Sequence, residues 1–148
     1  AAVVDQATDL VRPHREAKHQ TLEIDLAADL PTVLCDPDRT TQVLVNLLNN
    51  AVSYTPALGH IAIEAHSAGE AGFLEVTVTD DGVGIAPEER SQIFSRFYRA
   101  ASAEHASTPG TGLGLFISRE LVELQGGRIW LRSEVGKGTR VTFTLPTV

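Results

Sequence analysis

Apolar positions recur at helical spacing near the start of the chain, at Val3, Val4, Ala7, Leu10 and Val11. They predict a helix from Val3 to about His19, which Pro13 is expected to kink or divide. The pattern then switches to alternation: "TLEIDL" sets Leu22, Ile24 and Leu26 on one face and reads as a strand from Thr21 to Leu26. After the short apolar piece "TVLC", Asp36 offers an N-cap and Pro37 a first helical position for a long helix ending near Thr55 and Pro56. Two strands follow around the turn "SAGEAG". "HIAIEAH" alternates Ile61, Ile63 and Ala65 against Glu64 and His66, and "FLEVTVTD" aligns Leu74, Val76 and Val78. "PEER" begins a predicted helix that continues through "SQIFSRFYRA", and Ala100 to Gly110, small, polar and unpatterned, reads as a mobile loop. Thr111 to Gln125 is a second amphipathic helix, ended by Gly126 and Gly127. "RIWLRS" and "TRVTFTLP" form a closing hairpin with Val141, Phe143 and Leu145 inward. This order predicts an α/β fold, a two-layer sandwich in which a mixed, mostly antiparallel sheet of about five strands packs on three helices.

Composition narrows the class. A chain of 148 residues, 43% hydrophobic and 21% charged, makes one ordinary globular domain. Its net charge of −7 argues against nonspecific binding to nucleic acid or an anionic membrane, both of which need a basic face. The single cysteine, Cys35, excludes an internal disulfide and any cysteine cluster for zinc or iron–sulfur, and fits a reducing compartment. No apolar run reaches the length of a membrane span, and the start lacks a signal peptide. With no methionine and Ala1 at its head, the chain is expected to be a piece of a longer protein.

Three segments carry candidate chemistry. Along the helix after Asp36, Arg39, Gln42, Asn46, Asn49, Asn50 and Ser53 share one arc, opposite Leu44, Leu47, Leu48, Ala51 and Val52. Three asparagines in five residues are poor choices for a merely solvated helix face, and amide oxygens are hard, neutral ligands suited to a Mg²⁺ shared with phosphates. Next, "DDGVGIAPE" directly follows a strand. A buried Asp80 could accept a hydrogen bond from an exocyclic amine such as that of adenine, and Gly82 and Gly84 leave open backbone for a flat ligand. Standing alone, this segment reads better as a plain Asp–Gly turn. Finally, Gly110, Gly112 and Gly114 precede and open an amphipathic helix, whose free N–H groups and positive end make a phosphate cradle. Neither the dinucleotide-binding nor the P-loop pattern fits those glycines. Together the three segments supply metal ligands, an adenine acceptor and a phosphate cradle, the parts of an ATP·Mg²⁺ site.

At this point the chain resembles the catalytic and ATP-binding domain of sensor histidine kinases, in the ATPase superfamily shared with DNA gyrase, the ninety-kilodalton heat-shock chaperone and the MutL repair proteins. The resemblance runs from about Asp5 to Pro146. "QVLVNLLNNAVSYT" matches the N box, "VTDDGVGIAPE" the first glycine box and "IFSRFYRA" the phenylalanine box. "PGTGLGLFISRELVELQGGRI" matches the second glycine box, and "SEVGKGTRVTFTLP" the closing hairpin. It implies that Asn50 coordinates Mg²⁺, with Asn46 beside it near the phosphates, and that Tyr54 packs on the adenine. Asp80 would accept from the adenine amine, Gly82 and Gly84 would wall the base, and Thr139 would line its pocket. The loop from Ala100 to Gly110 would be a mobile ATP lid, with Arg99 at its root meeting the γ-phosphate. Gly110, Gly112, Leu113 and Gly114 would approach the phosphates through backbone, while Phe94 and Phe97 would anchor the lid by packing.

Two departures qualify the match. Ser53 stands where many relatives carry a basic residue before the tyrosine, which shifts load to Arg99. None of the five histidines fits the family's phosphoacceptor, a histidine followed by an acidic residue in a helical hairpin. The resemblance therefore implies an ATP- and Mg-dependent protein-histidine kinase domain that cannot phosphorylate itself. Its partner would be a separate phosphoacceptor and dimerisation domain of the parent kinase, with a response regulator downstream. The isolated domain would be a cytoplasmic monomer of a homodimeric, membrane-anchored sensor. The competing readings are a serine kinase of the anti-sigma-factor type, distinguished by the acid stability of its product, and a nucleotide-responsive binding module without catalysis. A structural protein with an empty site fits worst, because Asn46, Asn50 and Asp80 would then carry cost without function.

Overall fold

In the computed structural model, residues 2–90, 92–94 and 114–148 are described. Helix α1 (Ala2–Ala17) buries Val4, Ala7, Thr8 and Val11 along one stripe. Pro13 lies inside it, at an exposed position, without dividing it. Strand β1 (Thr21–Leu26) leads by way of a single bridge, Val33 to Thr147, into helix α2 (Pro37–Tyr54). The predicted cap is there: Asp36 accepts from the backbone N–H of Asp38 (3.0 Å) and Arg39 (3.3 Å), with Pro37 at the first helical position. Strands β2 (His60–Ser67) and β3 (Phe73–Asp80) follow, then a one-turn helix α3 (Pro87–Arg90). Helix α4 (Gly114–Leu124) and the hairpin of β4 (Ile129–Glu134) and β5 (Gly138–Pro146) complete the fold.

The sheet order is β1-β2-β3-β5-β4, with β1 and β2 parallel and every other pair antiparallel. The parallel pair arises because α2 lies between these strands and returns the chain to the same end of the sheet. All three long helices sit on one face, where Val4, Val11, Leu44, Leu48, Ile63, Val76, Val122 and Phe143 join one core. The sandwich expected from the alternation is therefore present. Two local expectations change. Ile24, aligned by the alternation with Leu22 and Leu26, is 43% exposed while they are half-buried, because β1 is the sheet edge and receives only partial cover. The helix expected to run from "PEER" through "SQIFSRFYRA" is helical over Pro87–Arg90, with 92–94 in a turn. The rest of that segment, and the loop from Ala100 to Gly110, lie outside the described residues.

Candidate functional site

The core-facing positions of β3, β5 and β4 meet in register. Val78 pairs with Val141, which pairs with Leu131; one row further, Asp80 pairs with Thr139, which pairs with Ser133. The first row is apolar and the second polar, so the sheet presents a greasy floor ending in a polar rim. Helix α2 lays Leu47, Asn50, Ala51 and Tyr54 above this floor, a stripe at i, i+3, i+4 and i+7. Ile85, Ile93 and Leu115 of α4 complete the lining of a small cleft that opens to solvent. Ile85 and Ile93 are both buried and pack with Tyr54, Phe94, Leu115 and Leu131 in a small cluster separate from the main core. This cleft is an apolar slot with one carboxylate at its end.

That carboxylate is Asp80, 8% exposed. Burial pushes its pKa up to about 6, and the nearby Asp81 charge pushes the same way, while hydrogen bonds from the backbone N–H groups of Gly82 and Thr139 oppose the rise. The Gly82 N–H donates to Asp80 Oδ1 at 2.9 Å. Gly82 is required by close approach: a Cβ there would stand 2.3 Å from the Tyr54 carbonyl oxygen and 2.8 Å from Asp80 Oδ1. Gly84 is required twice over, by a φ of +76° and by the Glu134 carbonyl, 2.2 Å from where a Cβ would sit.

The asparagine arc does not act as one face. Asn49 Oδ1 lies 3.4 Å from His14 Nδ1 on α1, and Asn46 Nδ2 donates to the Gly114 carbonyl and Ser118 Oγ on α4, both at 3.4 Å. Asn50 lines the cleft and has no hydrogen-bond partner among the described residues. Asn46 and Asn50 both border Gly114: a Cβ on that glycine would lie 3.9 Å from Asn46 Cβ and 4.0 Å from Asn50 Nδ2. Ser53, read into the polar arc, is instead buried at the end of α2. The fold thus gathers Asn50, Tyr54, Asp80 and Thr139 into one cleft, with Gly82 and Gly84 on the loop beside Asp80 and Asn46 and Gly114 at its α4 side. Arg99, Gly110, Gly112, Leu113 and Phe97 lie outside the described residues.

Other groups, to which the motifs assigned no role, also shape the cleft. Ser133 Oγ accepts from the Ile85 N–H (2.7 Å), donates to the Gly138 carbonyl (3.0 Å) and meets Thr139 Oγ1 (2.8 Å). The Arg90 guanidinium donates to the carbonyls of Ile85 and Ser133, tying the same loop to β4. Asp81 brackets His60, accepting from its N–H at 2.8 Å and donating its own N–H to its carbonyl at 3.2 Å. A signal existed for Ser133, a polar residue at a core-facing position after Ile129 and Leu131 in the strand alternation. Nothing local marks Arg90.

A family described as histidine kinase-, DNA gyrase B- and HSP90-like ATPases matches residues 35–148. The chain belongs to this family. It is 38% identical over 145 residues to the adaptive-response sensory kinase SasA of Synechococcus elongatus, covering 97% of this chain and 36% of SasA. The chain spans well under half the length of the curated relatives it matches. Among solved structures, a mycobacterial sensor histidine kinase, MprB, superposes with a TM-score of 0.86 at 30% identity, covering 99% of this chain and 94% of that one. Full-length ShkA, solved in complex with AMPPNP, superposes with a TM-score of 0.83 at 32% identity, covering 99% of this chain and 30% of ShkA. The five-stranded sheet and its helices are those of histidine kinase catalytic domains. No helix among the described residues is long and apolar enough to cross a membrane.

Proposed function

We propose that this domain binds ATP with Mg²⁺ and donates the γ-phosphoryl group to a histidine on a separate phosphoacceptor and dimerisation domain of a two-component sensor kinase, which in turn serves a response regulator. The observation that carries the reading is the buried Asp80 at the polar end of an otherwise apolar cleft. A flat, mostly apolar ring bearing one N–H donor satisfies such a slot, because the ring replaces water against Val78, Val141 and Leu131 while its amine donates to the carboxylate. Tyr54 stands beside that ring, and Thr139 helps hold the rim through Ser133.

The residues present fit a magnesium ion. Among the described residues, Asn50 lines the cleft with no hydrogen-bond partner for its amide oxygen, and no group of three or more acidic, histidine or cysteine side chains gathers. A lone neutral oxygen suits an ion held jointly with phosphates, where the ion would neutralise phosphate charge. Asn46 stays nearer α4, where its amide holds Gly114 against α2. Gly110, Gly112, Leu113 and Gly114 are assigned to the phosphates and Arg99 to the γ-phosphate, on their places in the matched boxes. In the transfer, an imidazole nitrogen of the acceptor forms the new P–N bond as the bond from the γ-phosphorus to the β–γ bridging oxygen breaks and ADP leaves. Catalysis here consists of positioning and charge neutralisation, and the reading places the domain in a cytosolic portion of the parent, away from nucleic acid.

Calorimetric titration with ATP, with and without Mg²⁺, tests this. Wild type should bind, Asp80→Asn should lose affinity in both conditions, and Asn50→Ala should lose only the part that depends on Mg²⁺. Equal affinity of Asp80→Asn and wild type would remove the adenine assignment. Addition of a histidine hairpin from a related kinase should give an acid-labile phosphoprotein; an acid-stable product would point to a serine kinase instead.

A further inference from the structure

Helix α2 ends on Tyr54, a wall of the cleft, yet has no basic residue in its last turn to meet its orphan carbonyls. Two side chains from the junction between α1 and β1 meet them. Lys18 Nζ donates to the carbonyls of Val52 (2.8 Å) and Ser53 (3.4 Å). Gln20, 3% exposed, sets its amide nitrogen within reach of the carbonyls of Val52 (3.1 Å), Thr55 (2.8 Å) and Pro56 (3.3 Å). Both are held in turn: Arg15 donates to the Gln20 carbonyl at 3.0 Å, and the Leu58 N–H to the Lys18 carbonyl at 2.9 Å. Partial burial lowers the pKa of Lys18 from the ordinary lysine value.

The carbonyl missing from that set is Tyr54's. It points the other way and accepts from the Val83 N–H at 3.2 Å, with Gly82 packed against it. One turn of backbone is therefore gripped on one side by Lys18 and Gln20 and on the other by the loop that follows Asp80. Neither Lys18 nor Gln20 lines the cleft. Without the grip, the carbonyls of Val52, Ser53 and Thr55 would lose these donors, Pro56's keeping the Gly59 N–H, and the turn would fray, carrying Tyr54 and the Gly82–Val83 backbone with it.

We propose that Lys18 and Gln20 are positioning residues of the nucleotide site, holding the last turn of α2 so that Tyr54 and the Gly82–Val83 loop stand in the register that admits the base. The inference rests on the ATP-binding reading above. Three variants of the chain test it: Lys18→Met, Lys18→Arg and Gln20→Leu. Each is titrated with ATP·Mg by calorimetry, checked for thermal unfolding, and examined by ¹⁵N-edited NMR at the Val83 amide without nucleotide. Lys18→Met should weaken ATP binding roughly five- to tenfold, the loss of one or two hydrogen bonds, and move the Val83 amide resonance. Lys18→Arg should restore both. A purely structural role would lower the unfolding temperature while leaving folded protein with wild-type affinity and an unmoved Val83 amide, and that result overturns the proposal. Gln20→Leu should behave as Lys18→Met does; should its buried site prevent folding, the half-buried Lys18 variants decide alone. A wild-type chain that binds no ATP overturns the functional reading and this inference together. Wild-type binding lost in Asp80→Asn but retained in Lys18→Met overturns this inference only.

Discussion

Asp80 concentrates the conflict between folding and function into one side chain. Its carboxyl holds a proton up to about pH 6 in the folded protein, against an ordinary value of 3.8, so the fold favours the neutral acid. Because the folded pKa is the higher one, this group's contribution is fully present below pH 3.8 and is lost as the pH rises through 6. At pH 7 the ionised carboxylate then costs on the order of 3 kcal/mol relative to acid conditions. Asp80→Asn should therefore stabilise the nucleotide-free protein at pH 7 and flatten its stability between pH 4 and 6, as read by urea denaturation across that range. The same substitution should abolish the gain in stability that ATP gives wild type, about 2.7 kcal/mol at a hundredfold excess over Kd. Stability and ligand response should thus move in opposite directions at this residue. Its motif was legible in the sequence, since an aspartate and spaced glycines after a strand are local features. Its burial was not, because Thr139 and Ser133 reach it only across two strand pairings.

At the scale of elements, α2 shows how far local chemistry reaches. Its start follows from Asp36 and Pro37 alone, and Asp36→Ala should cost about 1 kcal/mol in chemical denaturation while leaving ATP affinity unchanged. Its end has no such local account, since its carbonyls are capped from another element. The division of the asparagines belongs to the same class. Periodicity places Asn46, Asn49 and Asn50 on one arc, but α4, α1 and the cleft each take one of them. Which neighbour an arc meets depends on how helices cross, and a single helix carries no record of that. Ile24 and Pro13 make the complementary point. Alternation groups Ile24 with Leu22 and Leu26, and proline rules predict a kink or division at Pro13, but Ile24 is exposed on an edge strand and α1 runs undivided through an exposed Pro13.

The whole molecule is one layer of helices on one sheet, and Phe143 lies at its centre, fully buried between β5 and the helices. Phe143→Ala should cost about 3–5 kcal/mol, and thermal unfolding should remain a single cooperative transition because one core spans all three long helices. The cleft is built on the edge of that core, sharing Leu47, Ala51 and Val78 with it, and the smaller cluster of Ile85 and Ile93 adds a further wall. The net charge of −7 bears on solubility and partners; local groups, among them the Asn50 amide, line the cleft.

The sequence by itself determined the elements, their order, the sandwich class and the motifs of the family, because spacing, caps and turns act over a few residues. Only the tertiary structure decided that Asp80 is buried, that the asparagines part ways, that Ser133 and Arg90 hold the glycine loop, and that Lys18 and Gln20 cap α2. Each of these joins residues 32 to 72 positions apart in the chain. Such pairings exist only once helices have packed and strands have found their register, and no local periodicity encodes them.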